Sequence, residues 1–269
     1  MTTAAGSVGL RLAPGVKYVL RIADTCLIHS QRLAEWCGHG PVLEEDIALT
    51  NMALDLIGQA RSLYAHAASL EGQGLDEDQL AFLRDERDYF NLTLVELPMR
   101  RSSAHAPGTD FADTVLRNFL LSTWFKALWT RLATSADPQL AAIAGKALKE
   151  ARYHQQHAGD WVVRLGDGTP ESARRMRAAQ ARLWPYTAEM FVRDAVDAAA
   201  EAAGLGPARD SLRADWLHEV TAVLAQAALP PPEDVPFLST GTQGRHCEHM
   251  GFILAEMQTL QRQYPGSRW

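Results

Sequence analysis

At 269 residues, with 47% apolar and 22% charged side chains, the chain is long enough to bury a large core as one extended domain or two small ones. Its formal net charge of −6, with Lys and Arg scattered and never in a run, excludes the basic face that nucleic acid requires. No apolar run reaches the ~20 residues needed to cross a bilayer, and three cysteines without a CxxC pair (Cys26, Cys37, Cys247) suit a reducing cytoplasm.

The opening MTTAAGSVGLRLAPG lacks the basic start and apolar segment of a secretory signal, and residues 1–15 read as a flexible arm. Helical periodicity then runs almost to the end. A first helix is predicted over about 16–37, with apolar positions at Val19, Leu20, Ala23, Leu27 and Leu33; Gly38 and Gly40 can take the left-handed conformation that ends it. The second, about 43–68, carries Leu49, Met52, Ala53, Leu56, Ala60, Leu63 and Ala67 on one face. A third covers about 78–96 and stops near Pro98, before MRRSSAHAPGTD, which reads as a polar loop. The fourth, about 111–134, has Asp110 as its cap, and the fifth starts at Asp137-Pro138 and ends near Gly166. Thr169-Pro170-Glu171 opens a further stretch that kinks or restarts at Pro185 and continues to Gly204. Residues 208–229 are helical, PPPEDVP is an extended connector, and a last helix spans about 245–263. The expected fold is an all-α bundle of four core helices with further helices packed around them.

KEARYHQQH, residues 149–157, places Glu150, His154 and His157 on one helix. A carboxylate-bridged di-metal site in such a bundle needs one Glu from each of two helices and a Glu-x-x-His pair from each of two others. The frame ending at His154 has Ala151 where the Glu belongs, and Glu150 is rotated from that place by about 100°. Helix two has Asp55 with Gly58 three residues on, and His66 preceded by Ser62 and Leu63. From Thr114 through Ala136 there is no Asp or Glu at all. Helix one offers Asp24 and Glu35, of which Glu35 is the candidate to point inward. One Glu and one His out of six slots do not make a site. The bland alternative for KEARYHQQH is a polar helix edge with a salt-bridged Glu and a hydrogen-bonded His.

Other chemistry is no better supported. There is no Gly-x-Ser-x-Gly elbow, and TGTQG at 240–244 is too short for a phosphate loop. His246, Cys247, Glu248 and His249 form an imaginable mononuclear metal site, though a polar helix start facing a neighbour is the plainer reading. Trp124 and Trp129 favour the core.

The strings AEWCGHGP (34–41), ALDLIGQARSLY (53–64), FLRDERDYFNLTLVELP (82–98), DPQLAAIAGKALKEARYH (137–154), HCEHMGFILAEMQTLQRQYPG (246–266) and the terminal Trp269 resemble the PaaC-type subunits of phenylacetyl-CoA epoxidases. The resemblance covers nearly the whole chain from about residue 16. It implies a single ferritin-like helical domain over 16–269 and a cytoplasmic, non-catalytic subunit of a ring-1,2-epoxidising oxygenase of aerobic phenylacetate breakdown. It implies no cofactor in this chain, a di-iron centre in a catalytic partner subunit, and room for a further small subunit and a reductase. Matched to the catalytic subunit's ligand frames, the vestigial positions are Glu35, Leu56, Gln59, Ser122, Ala151 and His154. The rival readings are a di-iron oxygenase subunit using Glu35, Glu150, His154 and Asp55, and a stand-alone helical binding module.

Overall fold

A computed structural model describes residues 7–10, 12–98, 110–230, 233 and 235–267. The loop expected at 99–110 therefore lies outside the described residues except for Asp110, as do parts of the PPPEDVP connector and of the N-terminal arm. Two long helical hairpins make the bundle: α1 (Pro14–Ala34) with α2 (Leu43–Glu71), and α4 (Phe111–Leu132) with α5 (Pro138–Gly166). Around them lie α3 (Glu77–Phe82), α6 (Pro170–Leu183), α7 (Ala195–Ala202), α8 (Arg213–Gln226) and α9 (Glu248–Gln263). Among the described residues there is no strand, only an isolated bridge between Thr240 and Arg245. The architecture is an all-α, ferritin-like bundle. No described helix is long and apolar enough to cross a membrane.

Local chemistry sets the long helices. Asp137 accepts from the backbone N–H groups of Gln139 and Leu140 at 2.9 Å each, and Pro138 needs no such partner. Asp110 caps α4, and its own N–H donates reciprocally to Asp113 at 2.9 Å. Gly38 does take a positive φ of 78°, but Gly40 does not. Glycine is needed at 40 for space: a Cβ there would lie 2.7 Å from the Asp46 backbone nitrogen.

Two expectations, for the third and the last helix, are corrected by contacts made outside those helices. The third helix stops at Phe82 instead of reaching residue 96, giving way to short 3-10 turns at Glu86–Asp88 and Thr93–Val95. Its would-be helical N–H groups are claimed from elsewhere: Phe90 N by Asp24 at 2.7 Å, Leu92 N by Thr25 Oγ1 at 3.2 Å, Thr93 N by Glu189 at 3.0 Å. The last helix starts at Glu248 rather than 245, because Gly244 has a φ of 78° and Arg245 pairs with Thr240. Within the expected arm, Ser7 accepts from Asp85 N at 3.1 Å, Val8 N donates to Leu83 O at 3.1 Å, and α1 already begins at Pro14. The restart expected at Pro185 is present as a 3-10 segment, Trp184–Phe191, between α6 and α7.

Two helices are enclosed on every side. All residues from Tyr18 to Ser30 in α1, and from Ala112 to Phe125 in α4, are buried. Such helices must pair each polar side chain inside the protein. The TGTQG stretch has a structural role here. Glu189, 1% exposed, accepts from Thr242 N at 2.8 Å, Ser239 Oγ at 2.7 Å and Thr93 N, pinning this turn against the 89–98 segment. A Cβ on Gly241 would sit 2.5 Å from Asn91 O and 2.8 Å from Thr93 Oγ1. Gly241→Ala should therefore lower stability by about 1–3 kcal/mol in urea denaturation, the usual cost of overpacking.

Candidate functional site

The place to test for a metal centre is the middle of the four long helices. There, Cys26 of α1 donates to Gln59 Oε1 of α2 at 3.7 Å, and Gln59 Nε2 donates to Glu150 Oε2 of α5 at 2.8 Å. Burial, with the nearby Glu150 and Asp24 charges, pushes the Cys26 thiol well above its ordinary range. It stays protonated, whereas a metal ligand must be thiolate. Nearby, His29 of α1 meets Asn118 Oδ1 of α4 at 3.2 Å, and Asn118 Nδ2 reaches Met52 Sδ of α2 at 3.1 Å. An amide oxygen only accepts, so His29 Nε2 carries the proton. Burial first and the Arg117 charge second, only partly offset by Asn118, push His29 down to about 3.

KEARYHQQH resolves into three cross-helix pairs along the seam of α5 and α2. Glu150 takes Gln59; His154 Nε2 lies 3.0 Å from Asp55 Oδ2; His157 Nε2 lies 3.0 Å from Glu45 Oε2. Each pair is a separate rung. Among the described residues no three His, Cys, Asp or Glu side chains gather closely enough to hold a metal ion. Leu56, Ala151 and Ser122 are buried at 2%, 2% and 3% exposure, and Ser122 Oγ donates to the Asn118 carbonyl of its own helix at 2.6 Å. Gln59 and His154 are buried with them. Glu35 is not: it lies just past the end of α1, exposed, ion-paired to Arg32. The donor set, one amide, two protonated or neutral groups and carboxylates already committed one by one, does not fit a di-metal centre.

The inward acid of the first helix is Asp24 instead of Glu35. Fully buried, it accepts from Tyr64 Oη at 2.6 Å, Arg84 Nη1 at 3.1 Å and Phe90 N, and pairs with Arg84 Nη2 as well. Burial alone would push the Arg84 guanidinium down; Asp24, then Tyr64, hold it charged. The sequence does carry a signal for it: Asp24 lies four residues after Leu20 and three before Leu27, within the apolar face. Its partner, sixty positions away, is not legible there.

The 246–249 cluster does not converge on a metal. His246 Nδ1 lies 2.7 Å from Glu96 Oε1 and its Nε2 donates to the Tyr89 carbonyl at 3.0 Å, while Cys247 N donates to Glu96 Oε2 at 2.8 Å. Burial works against protonation of His246, but Glu96 and the Tyr89 carbonyl outweigh it and raise its pKa. Burial and then Glu96 push the Cys247 thiol up to about 12. His249 turns outward, 3.9 Å from the exposed Glu248. The four residues are a polar helix start held by a neighbour.

The phenylacetic acid catabolic protein family matches residues 10–269 of this chain. The chain is also 49% identical, over 252 residues, to a subunit of the 1,2-phenylacetyl-CoA epoxidase of Escherichia coli (strain K12). That match covers 94% of this chain and 98% of the bacterial one.

Proposed function

Because the chain belongs to the phenylacetic acid catabolic protein family, we propose that it is the structural, non-catalytic subunit of a 1,2-phenylacetyl-CoA epoxidase. In this reading one domain, 16–269, pairs in the cytoplasm with a di-iron catalytic subunit and stabilises it. A further small subunit and a reductase complete the assembly. The observation that carries the proposal is the chemistry of the bundle centre, where Leu56, Ser122 and Ala151 are buried and the polar groups beside them pair with one another; in this reading those three residues take the places of the catalytic subunit's ligands. Apolar residues there stabilise a metal-free bundle by about 1–3 kcal/mol each, whereas several buried carboxylates without a metal would repel.

A second feature supports a partner. Leu43, Ile47, Leu54 and Ile57 are 72%, 51%, 61% and 38% exposed, and their spacing aligns them along the outer face of α2. In this reading the stripe is the surface that meets the catalytic subunit.

Expression of the chain alone and together with the presumed di-iron subunit tests the reading. The isolated chain should bind no iron and give no turnover; the pair should co-purify, with iron and epoxidation. Two irons per isolated chain after anaerobic reconstitution would overturn it and favour the oxygenase rival. Leu54→Lys should weaken co-purification at least tenfold, about 1.4 kcal/mol, with an unchanged urea midpoint for the isolated chain.

A further inference from the structure

Away from the α2–α5 seam, a small cavity of about 20 Å³, lined by buried residues, lies between α1, α4 and the outer layer. Arg21, Thr25, Trp124, Asp197, Arg209 and Thr242 are among its walls, and no lining residue is more than 5% exposed. Two donors in those walls, Trp124 Nε1 and Arg209 Nη1, reach no acceptor among the described residues. The charged groups beside them are matched. Arg209 Nε and Nη2 bind Asp197 at 3.0 and 3.1 Å, and Arg21 binds Asp194 through Nη1 at 3.0 Å and the Thr242 carbonyl through Nε at 3.2 Å.

Size and charge together choose the occupant. The space holds about one water molecule and nothing the size of a substrate fragment. The two guanidinium groups in the walls are each matched, Arg209 by Asp197 in the wall and Arg21 by Asp194 outside it, so no unpaired positive charge is left to hold an anion. What the walls lack is an acceptor for two N–H groups. We propose that this cavity is a binding site for a single structural water, which accepts from Trp124 Nε1 and Arg209 Nη1. Tyr18 Oη, which donates to the Pro207 carbonyl at 3.0 Å, keeps lone pairs for one of the water's own protons. Leaving both donors unmatched is costlier than immobilising one solvent molecule. The water links the enclosed helix α4 to the turn Arg209–Leu212 of the outer layer.

A crystal structure of the full chain, alone or with its partner subunits, at a resolution that shows ordered solvent, tests the site. The expected result is one solvent peak within about 2.7–3.2 Å of both nitrogens, and its loss or displacement in Trp124→Phe. Cavity density absent in the wild type, an anomalous bromide peak there after a bromide soak, or an unchanged peak in Trp124→Phe would each overturn the proposal. Should Trp124→Phe fail to fold, the wild-type Trp124 indole N–H should show a direct NOE to a long-lived water by NMR. Absence of that NOE overturns the site.

Discussion

Asp24→Ala should come close to unfolding this protein. The substitution leaves Arg84, 0% exposed, with its charge uncompensated, and removes the acceptor of Tyr64 Oη and Phe90 N at the same time. Breaking one partner out of a buried pair costs about 3–5 kcal/mol, because the other charge stays in a poor solvent. Domain stabilities are only about 5–15 kcal/mol in total. Urea denaturation of Asp24→Ala should show a midpoint far below wild type. The double variant Asp24→Leu with Arg84→Met should recover a good part of the loss, since it removes both charges and returns apolar volume to the site. A small effect of Asp24→Ala, below about 1 kcal/mol, would mean that Arg84 finds water on its own and that the group is not closed.

His29 should make stability fall on mild acidification. Its folded-state pKa, about 3, lies below the ordinary value of 6.5 because burial and Arg117 oppose a charge on the ring. Between those values the unfolded chain takes a proton that the folded one refuses. His29 therefore contributes stability that is complete above pH 6.5 and is lost as the pH falls toward 3. The slope is about 1.4 kcal/mol per pH unit, so about 2.5 kcal/mol should disappear between pH 6.5 and 4.5. His246 acts in the other direction. Its raised pKa gives stability that is full below its unfolded value and lost as the pH rises through the folded one, leaving the acid window to His29. Burial favours the protonated form of Asp194, but Arg21 and Asp197 outweigh it and hold this carboxyl below the usual range, so it yields only at lower pH still. Urea midpoints for His29→Gln should be nearly flat from pH 6.5 to 4.5 where wild type declines; parallel slopes for the two would reject the assignment.

What can be seen in the sequence is what neighbouring residues decide among themselves. Asp137-Pro138 and the apolar stripe of α2 place those elements because caps and periodicity need no distant partner. The lack of Asp or Glu from Thr114 through Ala136 is legible in the same way, since no folding detail can supply a carboxylate that is not there. The third helix is cut short against its own pattern because its amides are taken by Asp24, Thr25 and Glu189, residues far from it in the chain. Asp24, and not the expected Glu35, points inward because the first helix ends earlier than its periodicity, turning Glu35 out to solvent. His29 and Asn118 are hidden for a related reason. One histidine and one asparagine, 89 positions apart, become a pair only when two separate hairpins are stacked.

Glu96 and Glu189 meet most of their donors in residues 239–247. A nascent chain emerging from the ribosome therefore carries two buried-to-be carboxylates without most of their donors until residues 239–247 have been made. Both hairpins can form before then, but the interior around Glu96 and Glu189 seals only when the 239–247 segment docks. A polypeptide cut short before residue 239 would hold these acids exposed or unmatched, and would be left for the cell's proteases to clear.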